Sequence, residues 1–320
     1  MPERSFVTGA TGQIGRPLVA ALVAAGHEVT ALVRKPADAD ALRALGAATV
    51  VGDLDSGAVL AAAVAEADHV WHLAGGLRGP GRVDADVLNR AGTASLAEAL
   101  APHAARLRSV TFASTCAVYG DRSGLWVAED YPPAPQTEYG TAKVAAERAL
   151  QAIPGLPLRV VRVAAVYGPG LRFMQEDAVR RGRAWLPGEG RNHVPVVHID
   201  DCVAALVAIG THGAPGVWNL AAPGTPSLKE FYAEVSRATG AGPVRFWSTW
   251  IPSAIQTGAA RQNERLMRAL GRKARFTNDN LRLFTASVRL RVDRLEKELG
   301  FVWRYADHRD GVRASIVPAA

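Results

Sequence analysis

Through the first two thirds of the chain, short apolar runs rich in β-branched residues alternate with alanine-rich stretches whose apolar positions recur at helical spacing. Continuous apolar runs predict strands buried on both faces, and the stretches between them predict the helices that cover those faces. Strands are expected at 5–8, 28–33, 48–51, 69–73, 109–113, 158–163, 194–197 and 217–220, with helices at 16–25 and 202–210 among those between. Beyond about Pro223 the pattern becomes helical, basic and less regular. The alternation predicts an α/β fold, a doubly wound parallel sheet with a smaller, mainly helical C-terminal lobe for substrate. Residues 1–170 form the sheet domain, 194–222 return to it, and 171–193 with 223–320 form the lobe. No internal repeat or low-complexity linker interrupts this order.

Gly9, Ala10, Thr11, Gly12, Gln13, Ile14 and Gly15 fall between the first strand and the first helix. A glycine run by itself is an ordinary turn, but here a strand precedes it, a helix follows, and a second strand comes after. In that position small residues allow a tight turn and close approach of a pyrophosphate, and the helix start offers free N–H groups and a positive dipole end. Gly9, Thr11, Gly12, Gln13, Ile14 and Gly15 are therefore candidate dinucleotide contacts in a Rossmann domain. The second strand ends in Leu32-Val33-Arg34-Lys35, with no carboxylate to meet the ribose hydroxyls of NAD. Arg34 offers a fork of donors to a 2′-phosphate, so NADP is the expected cofactor and NAD the alternative; a solvated Arg-Lys pair is the bland reading. Asp53 and Leu54, after the third strand, either contact adenine or, for Asp53, cap the following helix.

In the run Glu138-Tyr139-Gly140-Thr141-Ala142-Lys143 a tyrosine precedes a lysine by one helical turn, which places both on one face. A lysine beside a phenol favours the phenolate, so the tyrosine pKa would move toward working pH and Tyr139 would serve as a general acid or base. Taken alone, the spacing is far more often that of a surface pair, and its meaning comes from the rest of the chain.

Composition narrows the class. The 320 residues are 48% hydrophobic and 21% charged, with 31 glycines and two cysteines, Cys116 and Cys202, that have no metal-like partners. A reducing cytoplasm is expected. The N-terminus shows no signal-peptide pattern, and no apolar run reaches the length of a membrane span. The net charge of +7 lies wholly between Arg261 and Arg313, where 12 Arg and 2 Lys face 7 acidic residues. Acidic residues interrupt this run and no aromatic stacking pattern accompanies it, so a solvated helical surface is expected, with a phosphate-binding face as the alternative. The expected partner is a small-molecule substrate, with no nucleic acid and no membrane.

The glycine loop, Gly52-Asp53-Leu54, His72-Leu73-Ala74, Ser114-Thr115, Tyr139-x-x-x-Lys143 and Val166-Tyr167-Gly168-Pro169 occur in that order. In this the chain resembles the extended short-chain dehydrogenase/reductases, which include the NAD-dependent epimerase/dehydratase proteins. The resemblance runs from Ser5 to about Ala222. It implies that Tyr139 is the proton donor or base, that Lys143 holds the nicotinamide ribose and lowers the tyrosine pKa, and that Thr115 hydrogen-bonds the substrate oxygen. It adds Leu73 and Ala74 to the cofactor contacts. Asn89 matches an asparagine near the family's proton-relay path, or is a satisfied polar group among helices. A homodimer through helices of the nucleotide domain is likewise implied by resemblance alone.

Two departures bear on substrate. Where nucleotide-sugar epimerases of the family place an asparagine and an arginine on the diphosphate, this chain has Ala165 and Val194. Arg172, Arg183 or Arg191 are the cations that would have to substitute. Phe173, Trp185, Trp247 and Trp250 fall in the substrate segments, as core or as ligand contacts, and the pattern is closer to the 3β-hydroxysteroid dehydrogenase and dihydroflavonol reductase branches. Asp200 and Asp201 read as a helix N-cap region, and no metal site is expected. The expected activity is NADP(H)-dependent interconversion of a ketone or aldehyde and an alcohol on a hydrophobic or aromatic molecule. The alternatives are a nucleotide-sugar epimerase or dehydratase with tightly bound NAD, and a non-catalytic dinucleotide-sensing protein.

Overall fold

The computed structural model describes residues 2–75, 87–247, 253–270 and 277–316. Seven strands, β1 (Arg4–Thr8), β2 (Glu28–Val33), β3 (Ala48–Val51), β4 (His69–His72), β5 (Ser109–Thr115), β6 (Leu158–Val163) and β7 (Gly216–Leu220), make one sheet in the order β3-β2-β1-β4-β5-β6-β7. Every pairing in it is parallel. The order reverses between β1 and β4, which leaves a crevice beyond their C-terminal ends where an open α/β sheet places its ligand.

Helices cover both faces because each has one apolar stripe. On one face α1 (Gly15–Ala24), through Leu18, Val19 and Leu22, packs with Val7, Ala31 and Val33 of the strands. On the other, α2 (Gly57–Glu66), α3 (Gly92–Leu100) and α4 (Glu138–Gln151) set Leu60, Val64, Leu96, Leu100, Ala146 and Leu150 against Phe6, Val70, Val110 and Phe112. α5 (Ile199–His212) returns to the first face with Leu206 and Ile209. Truncating a fully buried leucine such as Leu18 to alanine would cost about 2–5 kcal/mol, a large share of a domain's stability.

A third cluster, centred on Tyr167, Met174, Leu186, Phe231, Tyr232 and Val312, forms the core of the smaller lobe. Its main helix, α6 (Leu228–Thr239), opens on a capping box in which Ser227 and Glu230 satisfy each other's backbone N–H groups, and ends at Gly240 with φ of 68°. A further helix, α7 (Asn278–Thr285), leads to Val288, Leu290, Val292 and Leu295, which pack beneath the large sheet rather than in the lobe cluster. We propose the division of the chain into 1–170 with 194–222, and 171–193 with 223–320, with the 288–295 stretch packed back onto the first unit.

Strands 28–33, 48–51 and 158–163 lie at the expected residues, and most others differ by one or two positions at an end. The expected 194–197 strand is Val196–His198 and pairs with Ala165–Tyr167 outside the large sheet. Two more short parallel pairs, Trp126–Val127 with Arg289–Leu290 and Trp185–Pro187 with Arg245–Trp247, are too brief to carry a periodic pattern. Among the described residues no helix is long and apolar enough to cross a membrane.

Candidate active site

The loop after β1 turns on two close approaches. Gly9 has φ of +72°, and a Cβ there would stand 2.5 Å from the backbone nitrogen of Ala74; a Cβ on Gly15 would stand 2.0 Å from the Gly9 carbonyl oxygen. Neither position admits another residue without moving backbone. α1 then begins at Gly15 with no side-chain cap and no acidic residue in its first turn, so its first N–H groups and positive dipole end suit an anion. This donor set fits the pyrophosphate of a dinucleotide.

Gly9, Thr11, Gly12, Gln13, Ile14, Gly15 and Leu73 line a cavity of about 740 Å³ together with Thr115, Tyr139 and Lys143. α4 carries the last two, and its start is fixed twice. Thr137 Oγ1 accepts the Gly140 N–H at 3.0 Å, and Asp279 of α7 accepts the Glu138 N–H at 2.9 Å. Thr115, at the end of β5, accepts the Ala117 N–H on its Oγ1 at 3.2 Å, which leaves the hydroxyl proton to donate. Ser114 beside it is buried and donates to Glu147. Both residues line the cavity, but the Ser114 hydroxyl proton is already given to Glu147.

Lys143 is buried, donates from Nζ to the Ala113 carbonyl at 2.9 Å, and lies 4.7 Å over the Phe112 ring. Burial brings its pKa down to about 8, with Glu147, one turn on, working the other way. Glu147 is itself held by Arg162 at 2.9 Å, and Arg162 continues to the Tyr119 hydroxyl at 2.9 Å and thence to Asn219 at 2.7 Å. This buried network under the site was not anticipated; its signal was Arg162, one of two arginines set among the apolar residues of β6. The expected lowering of the tyrosine pKa is corrected. Burial pushes the Tyr139 phenol up to about 12, opposed by its hydrogen bond with Thr115, while the Lys143 ammonium is turned to a carbonyl. Tyr139 is therefore a protonated acid at neutral pH.

Asn89 is fully buried in a turn of π-helix, Val87–Ala91, and its Oδ1 converges with Lys143 Nζ on Gly75, where a Cβ would meet them at 2.4 and 2.8 Å. His72, between the glycine loop and α3, bonds Thr8 at 2.7 Å and Thr93 at 2.9 Å, and burial pulls its pKa down to about 3, so it is a neutral bridge.

Four candidate cofactor residues stand outside the cavity lining. Arg34 is exposed just past the end of β2. Asp53 spends its carboxylate on its own turn, accepting from the Asp55 N–H at 3.0 Å and the Ser56 hydroxyl at 2.8 Å. Leu54 is buried against Gly92, where a Cβ would meet it at 2.6 Å. Ala74 lies at the loop edge, its N–H given to Thr8 Oγ1 at 3.3 Å.

At the substrate end Ala165, Val194, Phe173, Leu228, Phe284 and Val288 line the cavity, so both departures from the sugar-nucleotide pattern face it. Arg183 and Arg191 are exposed and outside that lining, and the Arg172 side chain, like 248–250 with Trp250, lies outside what is described. Arg282 does line the cavity, donating to the Gln136 carbonyl at 3.2 Å. Trp185 is 57% exposed under Arg245 and takes no part. Asp200 and Asp201 occupy the first turn of α5, whose N-cap is His198; Asp201 also accepts the Arg304 and Tyr305 N–H groups, both at 2.8 Å. Among the described residues no cluster of side chains has the make-up of a metal site.

A model of the NAD dependent epimerase/dehydratase family matches residues 5–221. The 4-hydroxy-2-methyl-3-oxo-4-farnesyl-3,4-dihydroquinoline-1-oxide ketoreductase of Stigmatella aurantiaca is 31% identical over 97% of this chain and 95% of its own length. A 3-diazoavenalumate denitrifying reductase of Streptomyces is 32% identical over 84% of this chain and 95% of its own. Among solved structures, MoeE5 in complex with UDP-glucose and NAD superposes with a TM-score of 0.75 at 26% identity, covering 98% of this chain and 97% of that one. The chain belongs to the NAD-dependent epimerase/dehydratase family of extended short-chain dehydrogenase/reductases, as an oxidoreductase-type enzyme on a Rossmann fold.

Proposed function

We propose that this enzyme is an NADP(H)-dependent ketoreductase acting on an apolar small molecule, with Thr115, Tyr139 and Lys143 as its catalytic set. The observation that carries the reading is the cavity wall: Ala165 and Val194 stand beside Phe173, Leu228, Phe284 and Val288, where a nucleotide diphosphate would need donors and a cation. The likeness to a ketoreductase named for a farnesylated substrate, along almost the whole chain, supports the same class.

Bound at the glycine loop, NADPH would supply the hydride. As charge grows on the substrate oxygen, the Tyr139 hydroxyl gives up its proton and the Thr115 hydroxyl hydrogen-bonds the same oxygen. Lys143 holds the ribose from the floor of the site. Gly9, Thr11, Gly12, Gln13, Ile14 and Gly15 hold the pyrophosphate, and Leu73 and Ala74 flank it. Arg34 meets the 2′-phosphate. Asn89 joins Lys143 at Gly75 on the path by which Tyr139 regains its proton.

NADPH consumption across a panel of bulky aryl and alicyclic ketones tests the reading, with Tyr139→Phe alongside. Wild type should consume NADPH in preference to NADH. The variant should keep cofactor affinity and lose turnover by at least the 10²-fold typical of a positioned acid. Near-normal turnover in the variant removes Tyr139 from the chemistry.

A further inference from the structure

The helix Ser253–Ala269 has two unlike long faces. Inward, Ala260 is fully buried and Glu264 accepts the Asn278 N–H at 2.5 Å, which holds the helix on the start of α7. α7 in turn carries Arg282, Leu283 and Phe284 to the cavity wall. Outward, Ile255, Leu266 and Leu270 are 60%, 54% and 57% exposed. Leu270 keeps the helical register, its N–H bonded to the Leu266 carbonyl at 3.0 Å. At 3.6 residues per turn these three and the exposed Ala259 fall within about 60° of one another, a single apolar stripe. Arg261 and Arg265, exposed and one turn apart, border it. The helix holds three arginines and one acid, Glu264, which is already turned to Asn278. An apolar stripe with a cationic flank is the make-up of a helix that lies in the plane of a membrane interface. A second copy seated on the same face would set arginine near arginine with no acid of the helix left to meet them. A nucleic acid would engage the arginines and leave the stripe in water.

We propose that this helix docks the enzyme peripherally on an anionic lipid surface. Ile255, Ala259, Leu266 and Leu270 enter the boundary between headgroups and acyl chains, and Arg261 and Arg265 meet the lipid phosphates. Contact is from one face, so it departs from the expectation of no membrane partner without calling for a spanning helix. Only α7 stands between the docked helix and the cavity. The enzyme thereby draws an apolar ketone from the layer in which such a molecule dissolves. That delivery rests on the ketoreductase reading, whereas the docking itself does not.

The test is co-sedimentation of the full chain with vesicles of phosphatidylcholine alone, or with phosphatidylglycerol added to about the anionic content of a cytoplasmic leaflet. Wild type should bind the anionic vesicles at least tenfold more tightly than the neutral ones, and less tightly as salt is raised. Arg261→Gln with Arg265→Gln should weaken anionic binding about 25-fold, roughly fivefold for each charge near the surface. Leu266→Ser with Leu270→Ser should weaken it at least tenfold, and Ile255→Ser, at the other end of the stripe, in the same direction. All these side chains are exposed, so melting temperature and NADPH turnover on a water-soluble ketone should stay at wild-type values. If the leucine variant melts early, Ile255→Ser alone decides. No binding of wild type to anionic vesicles overturns the proposal, as does binding that the arginine changes reduce and the apolar changes do not. Two further results also overturn it: self-association in light scattering that the leucine changes abolish while vesicle binding persists, and duplex DNA binding that displaces the vesicles and depends on the arginines alone. If the vesicles bind as expected but no apolar ketone consumes NADPH, the ketoreductase reading falls and the docking stands.

Discussion

Burial acts on Tyr139 and Lys143 in opposite chemical senses, because a phenol is charged when it loses its proton and an ammonium when it keeps one. Tyr139 is pushed up to about 12 and Lys143 brought down to about 8, so at neutral pH both hold their protons. A proton already on Tyr139 suits reduction, whereas oxidation has to remove it. We therefore expect reductive kcat/KM to stay flat from neutral pH to about 8, and alcohol oxidation to rise with pH over the same range; initial rates in both directions check this. Above about 8, Lys143 loses its charge, and cofactor affinity should fall in wild type but not in Lys143→Met. That variant should bind cofactor more weakly at pH 7 by about 1.5–3 kcal/mol, the worth of a hydrogen bond from a charged donor. Its unliganded stability should move the other way. The folded state releases the Lys143 proton near 8 and the unfolded chain near 10.5, so between those values the unfolded state binds more protons and the lysine's contribution rises with pH. Lys143→Met should thus melt higher than wild type at pH 7, with the gap closing toward pH 10; melting curves at both pH values decide it.

What was legible in the sequence was what chain neighbours encode. The glycine loop lies between its strand and helix, and Tyr139 and Lys143 share one helix, so their spacing already states their geometry. What lay hidden depends on contacts between distant elements. Asp279 holds the start of α4 from 141 residues away, and Arg162 reaches Glu147 from β6, pairings with no local pattern. The tyrosine pKa was misjudged for the same reason, since a motif shows a neighbouring charge but not the depth of burial. β2 provides the test at this scale. It ends at Val33, and the pairing of β2 with β1 leaves the next residue, Arg34, exposed at the same C-terminal rim of the sheet as the glycine loop. Arg34→Ala should weaken NADP binding by about 1.5–3 kcal/mol and leave NAD nearly unchanged, because a charge-assisted bond to the 2′-phosphate is lost and NAD has none. Titration of both dinucleotides into both proteins measures it, and equal loss of the two would remove Arg34 from the cofactor site.

At the scale of the molecule, the cavity lies between the sheet's C-terminal edge and a lobe whose walls are set by Phe173, Leu228 and α7. Relatives on this scaffold divide by substrate: a ketoreductase and a nitrogen-group reductase on one side, a structure holding UDP-glucose and NAD on the other. The scaffold does not choose between them, so the choice rests on the wall. Among the described residues the cations lining the cavity are Lys143, committed to the floor, and Arg282, which already donates to Gln136. Two negative phosphates entering past Ala165 and Val194 would lose water without gaining matched donors, which is costly for charged groups. UDP-glucose should therefore neither turn over nor raise the melting temperature, while an apolar ketone should do at least one. A ligand at about 100 times its Kd adds roughly 2.7 kcal/mol to stability, which a melting curve registers plainly. If UDP-glucose produces that shift and is converted to its epimer without net cofactor consumption, the enzyme belongs with the epimerases in activity. In that event Arg282→Ala should abolish the shift, because Arg282 is the cation placed to have turned from Gln136 to the diphosphate.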